Sequence, residues 1–394
     1  MKKLKLNGKL LIITLSSIVL FTQCACTKTK VQPLYPIDNN GQNTYTYNWA
    51  ALADSLQNKL HSDFLAQNGK YYAQDNAGNQ TFHYWHNAHA VDVLVDAYER
   101  TGNDVYMQRV NSLLTGMRET NPVRRNTLIN DFYDDMGWLG LSTLRAYDLS
   151  KNTLQLDIVK TLWQDILTGI NDIQGRSLGW AKHRLYFKNT PANGPAIIMG
   201  LRLARSTGDQ HYKDTAVMLY DWLRSNLIDP VTGIVWDGVN PNNQGGMEKA
   251  IYTYNQGLFI GAALEMYADT KDKKYLDDAI RTARTSMRSS QVAPGGILKP
   301  EGQGDGGLFK GIFVRYFVKL VQNKDLSESD KKTMVNFLLN NAQKLNSSGI
   351  NHQTLLISPD WNSMPAGTID LSTQLSGMML IEAMASLQKE GIVQ

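Results

Sequence analysis

The 394-residue chain has only two cysteines, Cys24 and Cys26, so no disulfide framework supports whatever fold follows them. Two thiols separated by one residue are also poorly placed to bridge each other. Charged residues make up 19% of the sequence, below the roughly 25% of ordinary globular proteins. The 42% of apolar residues in turn exclude a globally disordered chain. Acid is missing altogether from residues 1–23, which carry Lys2, Lys3, Lys5 and Lys9. Without those lysines the basic residues are as many as the 36 acidic ones, and no Lys/Arg run is present. A neutral body lacks the electrostatic footprint of a nucleic-acid-binding protein. Long hydrophobic runs are absent too, since Leu10 to Phe21 is too short to span a bilayer. His83, His86 and His89 recur at a spacing that shares no helix face, and no His-Glu-x-x-His motif accompanies them. No metal or cofactor is therefore expected.

What is present begins with an address. Residues 1–23 have the basic start and apolar centre of an export signal. Cys24 sits where such a signal is cut, and the position resembles a bacterial lipoprotein signal whose first mature residue is a lipid-modified cysteine. Phe21, Thr22 and Gln23 depart from the usual small-residue pattern and leave Cys26 as the alternative lipid site. A plain secreted protein is the competing reading. Residues 24–43 are polar, broken by Pro33 and Pro36, and read as a flexible tether, with a single catalytic domain expected over 44–394. The tether carries Lys28 and Lys30 and no acid before Asp38, which favours a lipid-anchored protein of the cell envelope facing the periplasm over surface display.

Beyond the tether, helical periodicity recurs about twelve times while period-2 alternation is scarce, so the class is all-α with almost no strand. A joint signature repeats: Thr101-Gly102-Asn103, Thr207-Gly208-Asp209 and Thr270-Lys271-Asp272, each followed three residues later by Tyr106, Tyr212 or Tyr275. Each combines a helix stop with a residue suited to cap the next helix. The first interval, 106 residues, is about two periods of 53, the mark of a helical-hairpin repeat. Helices after these joints are amphipathic. The others, such as 88–98, 137–147, 194–204, 257–267, 308–320 and 375–387, are apolar or small nearly all round and must be buried on every side. Six inner helices within six outer ones make an (α/α)6 barrel. An open superhelical solenoid is the competitor.

In such a barrel all inner helices run the same way, and their N-terminal ends share one mouth. The segments there are rich in aromatics, Asn, Gln, Asp and His: Trp85, His86 and His89, then Asp131 and Tyr133, Asn193, Tyr254, Asn255 and Gln256, Asp305 and Trp361. Sugars are held this way, ring faces on aromatics and hydroxyls on paired donors and acceptors. Trp138, Trp180 and Trp236 are placed at or near the same mouth. Asp134-Asp135 opens an inner helix. Glycoside cleavage needs one ionised carboxyl and one protonated, and a helix N-terminus together with mutual repulsion can produce that split. Helix capping is the bland account of the same pair.

Tyr84-Trp85 with Ala88-His89 and Asp92, Tyr133-Asp134-Asp135-Met136-Gly137-Trp138, Asn193-Gly194-Pro195-Ala196, Tyr254-Asn255-Gln256-Gly257 and Phe309-Lys310-Gly311-Ile312-Phe313 together resemble glycoside hydrolase family 76, the endo-α-1,6-mannanases. The likeness spans roughly residues 45–390 in order. It implies retaining hydrolysis of α-1,6-mannan backbones through a glycosyl-enzyme, with Asp134 as nucleophile and Asp135 as acid/base, and Lys310 joins the substrate-binding set. Three alternatives stay open: a non-catalytic glycan-binding lipoprotein, another (α/α)6 sugar enzyme, or a transglycosylase.

Overall fold

The computed structural model describes residues 47–394, and within them the alternating pattern becomes twelve α-helices. The export segment 1–23, Cys24, Cys26 and the tether 24–43 lie outside the described residues. The inner helices are α2 (Tyr84–Thr101), α4 (Tyr133–Ser150), α6 (Thr190–Thr207), α8 (Thr253–Thr270), α10 (Gly306–Val321) and α12 (Leu371–Lys389). Each packs on the next, and α12 packs on α2, so the ring closes and the open solenoid is excluded. The outer helices are α1 (Trp49–Asp63), α3 (Asp104–Thr120), α5 (Thr153–Leu167), α7 (Gln210–Asn226), α9 (Lys273–Arg288) and α11 (Glu328–Lys344). The architecture is the (α/α)6 barrel. Inner helices approach closely where glycine removes a side chain; a Cβ on Gly257 of α8 would lie 2.6 Å from the Phe313 Cα of α10.

The joints explain the hairpins chemically. The hydroxyls of Thr101, Thr207 and Thr270 donate back to the carbonyls of Ala97, Leu203 and Met266 and accept the N–H groups of Asn103, Asp209 and Asp272. Gly102, Gly208 and Lys271 turn the chain at φ 65°, 78° and 58°. The side chains of Asn103, Asp209 and Asp272 then cap α3, α7 and α9. A fourth joint, Ser150-Lys151-Asn152, uses the same devices, with Lys151 at φ 57° and Asn152 capping α5. It fills the middle of the 106-residue interval.

Two further repeats were not read from the sequence. The fourth residue of α2, α6, α8 and α12 is an amide, Asn87, Asn193, Gln256 and Gln374, and each is buried. Asn87, Asn193 and Gln256 each take the backbone N–H and carbonyl of one residue outside the helix, Tyr72, Leu178 and Val235 respectively. Gln374 does the same for Ile357 N–H and Leu355 carbonyl. The thirteenth residue of α2, α4, α6 and α8 is charged: Asp96, Arg145, Arg202 and Glu265. With Asp92, Arg315 and Glu382 these build an ionic floor beneath the mouth. Arg145 and Arg315 both pair with Asp92 and Asp96, Arg202 holds Glu265 at 2.6 Å, and Arg100 holds Glu382 at 2.8 Å. Burial opposes the Asp96 charge, but Arg315 and Arg145 outweigh it and hold its carboxyl down to about 2.

The expectation of almost no strand is corrected. An antiparallel sheet runs in the order β1 (Ile170–Asn171), β2 (Ser177–Ala181), β3 (Arg184–Asn189), β4 (Gly238–Val239), β5 (Met247–Glu248), and β6 (Ile350–Asn351) pairs with β7 (Leu356–Ile357). Five of the seven strands have two residues, too few to show alternation. The β2–β3 hairpin is longer, but its register shifts between Gly179 and Ala181 and breaks the pattern. Ala181 bridges to Phe132, which ties this hairpin to the start of α4.

Candidate active site

Asp134 and Asp135 lie in the first turn of α4, half-buried at the mouth. Phe132 supplies no side-chain cap there. Asp134 accepts the Trp180 indole N–H at 2.9 Å through one oxygen and the Asp135 backbone N–H at 3.0 Å through the other. Burial pushes its carboxyl up to about 7, against the pull of those two donors. Among the described residues Asp135 receives only the Asn130 side-chain amide, at 3.1 Å. Burial, then the Asp134 charge, then Asp305 push Asp135 well above the usual carboxylate range. One carboxyl is thus furnished for ionisation and its neighbour for keeping a proton.

A third carboxylate missing from the sequence reading joins them. Asp237, just before β4, accepts the Asn255 amide at 2.9 Å, and its charge raises Asp134 further. Burial lifts Asp237 itself to about 6, while Asn255 and the Tyr254 hydroxyl draw it back. Asn255 is wholly buried and its Oδ1 has no partner among the described residues. Leaving that oxygen unsatisfied costs about 1–3 kcal/mol, so the amide is turned to serve Asp237 at the expense of stability.

Aromatics flank the carboxylates on two sides. Toward the hairpin, Trp180 lies 5.1 Å from Phe132, with the Arg184 guanidinium 4.8 Å over its indole. On the other side Trp85 lies 5.6 Å from His89, and His89 4.9 Å from Trp138. Tyr254 stacks on Phe309 at 4.0 Å and 4°. The Trp85 indole donates to Asp305 at 2.9 Å, and His86 approaches the same carboxylate at 3.5 Å. His86 and Trp85 together hold Asp305 below the usual range. Burial drives His89 down to about 3, so it is a neutral imidazole at physiological pH.

Several residues placed at the sugar by the sequence reading have their polar atoms committed elsewhere. Asn193 and Gln256 are the amide clamps described above, and their donors and acceptors go to backbone. Lys310 is buried, donates to the Pro359 carbonyl and lies 5.2 Å over the equally buried Trp361 ring. Burial lowers its ammonium to about 8. Tyr133 is buried, with its hydroxyl 3.1 Å from Thr168. Asp131 binds the hairpin only through its backbone carbonyl, which accepts the Lys182 N–H at 2.9 Å, and its carboxylate is left half-exposed. Trp85, His86, His89, Trp138, Tyr254, Asn255 and Asp305 remain gathered around the two carboxylates and Asp237. The signal that could have found Asp237 is the alternation Val235-Trp236-Asp237, in which Val235 is buried and Trp236 lies under Lys249, so that a carboxylate two residues after a core side chain is led inward.

Comparison with known proteins agrees with this geometry. The model of glycosyl hydrolase family 76 matches residues 48–394. The α-1,6-mannanase GH76A of Salegentibacter sp. HEL1_6 is 41% identical, with a TM-score of 0.83 over 86% of this chain and all of that one. A variant of that enzyme, inactive through replacement of two consecutive aspartates by alanine, is known in complex with α-1,6-mannotetrose; it is 40% identical over 86% of this chain and 99% of that one, at a TM-score of 0.83. A mannan endo-1,6-alpha-mannosidase of Candida glabrata is 26% identical over 50% of this chain and 49% of its own. The chain thus spans about half the length of that curated fungal relative. A family match running from the first outer helix to the C-terminus, over a closed helical barrel with paired aspartates at its mouth, leads to one conclusion: the chain belongs to glycoside hydrolase family 76.

Proposed function

We propose that the protein is a retaining endo-α-1,6-mannanase. The observation that carries the mechanism is the unequal furnishing of two adjacent carboxyls, with two N–H donors on Asp134 and the repulsion of a neighbouring charge on Asp135. Asp134 attacks the anomeric carbon while Asp135 gives its proton to the departing glycosidic oxygen, leaving a mannosyl ester on Asp134. Asp135, now ionised, takes a proton from water, whose oxygen displaces Asp134 and restores both groups. Aromatics on both sides of the pair suit sugar units on both sides of the broken bond, which supports internal cleavage. The names of the Salegentibacter and Candida relatives support the α-1,6-mannan substrate. Linear α-1,6-mannan incubated with the protein is expected to yield short oligosaccharides whose newly formed reducing ends are first α-anomers by proton NMR. Release of β-anomers would overturn retention, and no release would overturn the activity.

The same proposal places the enzyme on a lipid anchor at Cys24 in the cell envelope, facing the periplasm, on the strength of residues 1–43. Palmitate incorporation lost in Cys24→Ser is the expected result. Digestion by protease added to intact cells would move the enzyme to the outer surface.

A further inference from the structure

The outer wall of the barrel holds a second polar cavity, between α1 and α3. The chain leaving α1 doubles back through a turn in which Leu65 bridges to Tyr72. Gly116 of α3 lets that turn settle on the helix, since a Cβ there would lie 1.8 Å from the Lys70 carbonyl oxygen. The space left between α1, the turn and α3 measures about 350 Å³, within the range of ligand pockets. Its polar walls are His61, Lys70, Tyr72, Gln108, Arg109 and Ser112, and no Asp or Glu lines it. None of the carboxylates or aromatics described at the mouth lines it either. Lys70 already has a carboxylate, Glu119, at 2.9 Å. Arg109 does not. Of the other half-buried arginines, Arg100, Arg145, Arg202, Arg281 and Arg315 each pair with a carboxylate, and Arg184 reaches the Pro241 carbonyl. Among the described residues Arg109 does neither; its guanidinium lies 5.6 Å over the Tyr106 ring, a contact that uses the face of the group and leaves its N–H fork free. The Tyr72 hydroxyl is buried with the Nδ1 of His61 at 3.5 Å, the outer limit of a hydrogen bond. That hydroxyl has spare capacity to donate.

We infer that this cavity is a binding site for a tetrahedral oxyanion of the phosphate or sulfate class, gripped by the Arg109 fork and joined by His61, Tyr72 and Ser112. The fork matches two oxygens of such an ion. Donors from α1, the turn and α3 approach from three sides, which suits a ligand with acceptors pointing several ways better than a planar carboxylate. The site is independent of the sugar cleaved at the mouth. Burial, then the Arg109 charge, hold His61 below its ordinary value. The titratable groups sharing the cavity with His61 are Arg109 from α3 and Lys70, Tyr71 and Tyr72 from the turn, while on its own helix Lys59 and Asp63 pair with each other at 2.5 Å. A bound dianion opposes the Arg109 charge. His61 then takes up its proton at a higher pH, and by linkage binding tightens as pH falls.

Sulfate is the probe, because it keeps its charge between about pH 5.5 and pH 8. Wild type is expected to bind it with a dissociation constant on the order of 1 mM or tighter at about pH 6. Binding should move the His61 ring signals in NMR, raise the pH at which they titrate, and tighten about threefold or more from pH 8 to pH 5.5. Arg109→Met keeps the apolar stem and should weaken sulfate at least about tenfold at an unchanged melting temperature. Asp134→Asn should bind sulfate as wild type does; a loss there would move the ion to the mouth and overturn the site. Titration with inorganic phosphate and with methyl phosphate then separates the sources: tighter binding of the first marks a free ion, of the second a phosphate ester. His61 signals unmoved by sulfate at tens of millimolar, or equal affinity in wild type and Arg109→Met, would overturn the proposal. Should Arg109→Met not fold, the comparison is made on Arg109→Lys, which keeps the charge but loses the fork; equal affinity there overturns it as well.

Discussion

Asp134 and Asp135 are the same residue type one position apart, and their surroundings separate them. Burial raises both above their unfolded-chain values, Asp134 from 3.8 to about 7. Between those pH values the folded protein holds protons that the unfolded chain has released, so the stability contributed by these groups falls as pH rises through that window. Asp134→Asn removes the burden. It is expected to lower turnover at least ~1000-fold on α-1,6-mannan while raising stability at pH 8 by about 1–2 kcal/mol, since solvent at the open mouth screens part of the effect. The gain should disappear by pH 4. Thermal melts at the two pH values beside an oligosaccharide assay check both halves. Wild-type kcat/KM should itself rise with pH through about 7 as Asp134 ionises and fall again at higher pH as Asp135 loses its proton. A pH–rate profile without a rising limb would contradict these roles.

At the scale of elements, two small structures decide what the first turn of α4 can do. The β2–β3 hairpin carries Trp180 to Asp134 across 46 residues of sequence. Trp180→Phe keeps an aromatic face but removes the donor, so the Asp134 carboxyl should titrate higher. The rising limb of the pH–rate profile should move upward and kcat/KM fall about tenfold at pH 6.5; an unmoved limb would show that the indole only packs. The amide clamps act differently. Asn193→Ala leaves the Leu178 N–H and carbonyl without their side-chain partner in the core, at a cost of about 2–3 kcal/mol. Denaturant unfolding should show that loss, with KM for mannotetraose nearly unchanged. The sequence reading assigned Asn193 to the sugar because an amide before an inner helix looks alike whether it faces a ligand or a strand. Only the partner's position tells them apart, and that partner, β2, was itself hidden by its irregular register.

The whole molecule separates a mouth that performs chemistry from a floor that holds the ring together. Arg145 is ten residues beyond Asp135 on α4, about 15 Å along the helix. Arg145→Met leaves Asp92 and Asp96 to Arg315 alone and should cost about 3–5 kcal/mol, because a buried charge loses its partner. Chemical denaturation should register that loss, with the KM of the folded fraction unaltered. The floor escaped the sequence reading because two to four charges in a helix of eighteen residues leave its apolar character standing; the charges become intelligible only when the inner helices bring them together.

Local chemistry, then, was enough for the order of hairpins, their joints and caps, and the division into inner and outer helices, because each depends on residues within one or two turns of each other. It was enough, too, to single out Asp134-Asp135 at an inner-helix start. The chain contains a second such pair, Asp277-Asp278, and there Asp278 is buried against Arg224 and Arg281 on the outer shell. Tertiary structure alone decided that Trp180 and Asp237 would meet Asp134, that Asn193 and Gln256 would turn to backbone, and that Lys310 and Trp361 would be buried. These outcomes depend on contacts between residues 15 to 49 or more positions apart, and a side chain's role at such a distance is set by which face the closed ring presents to it.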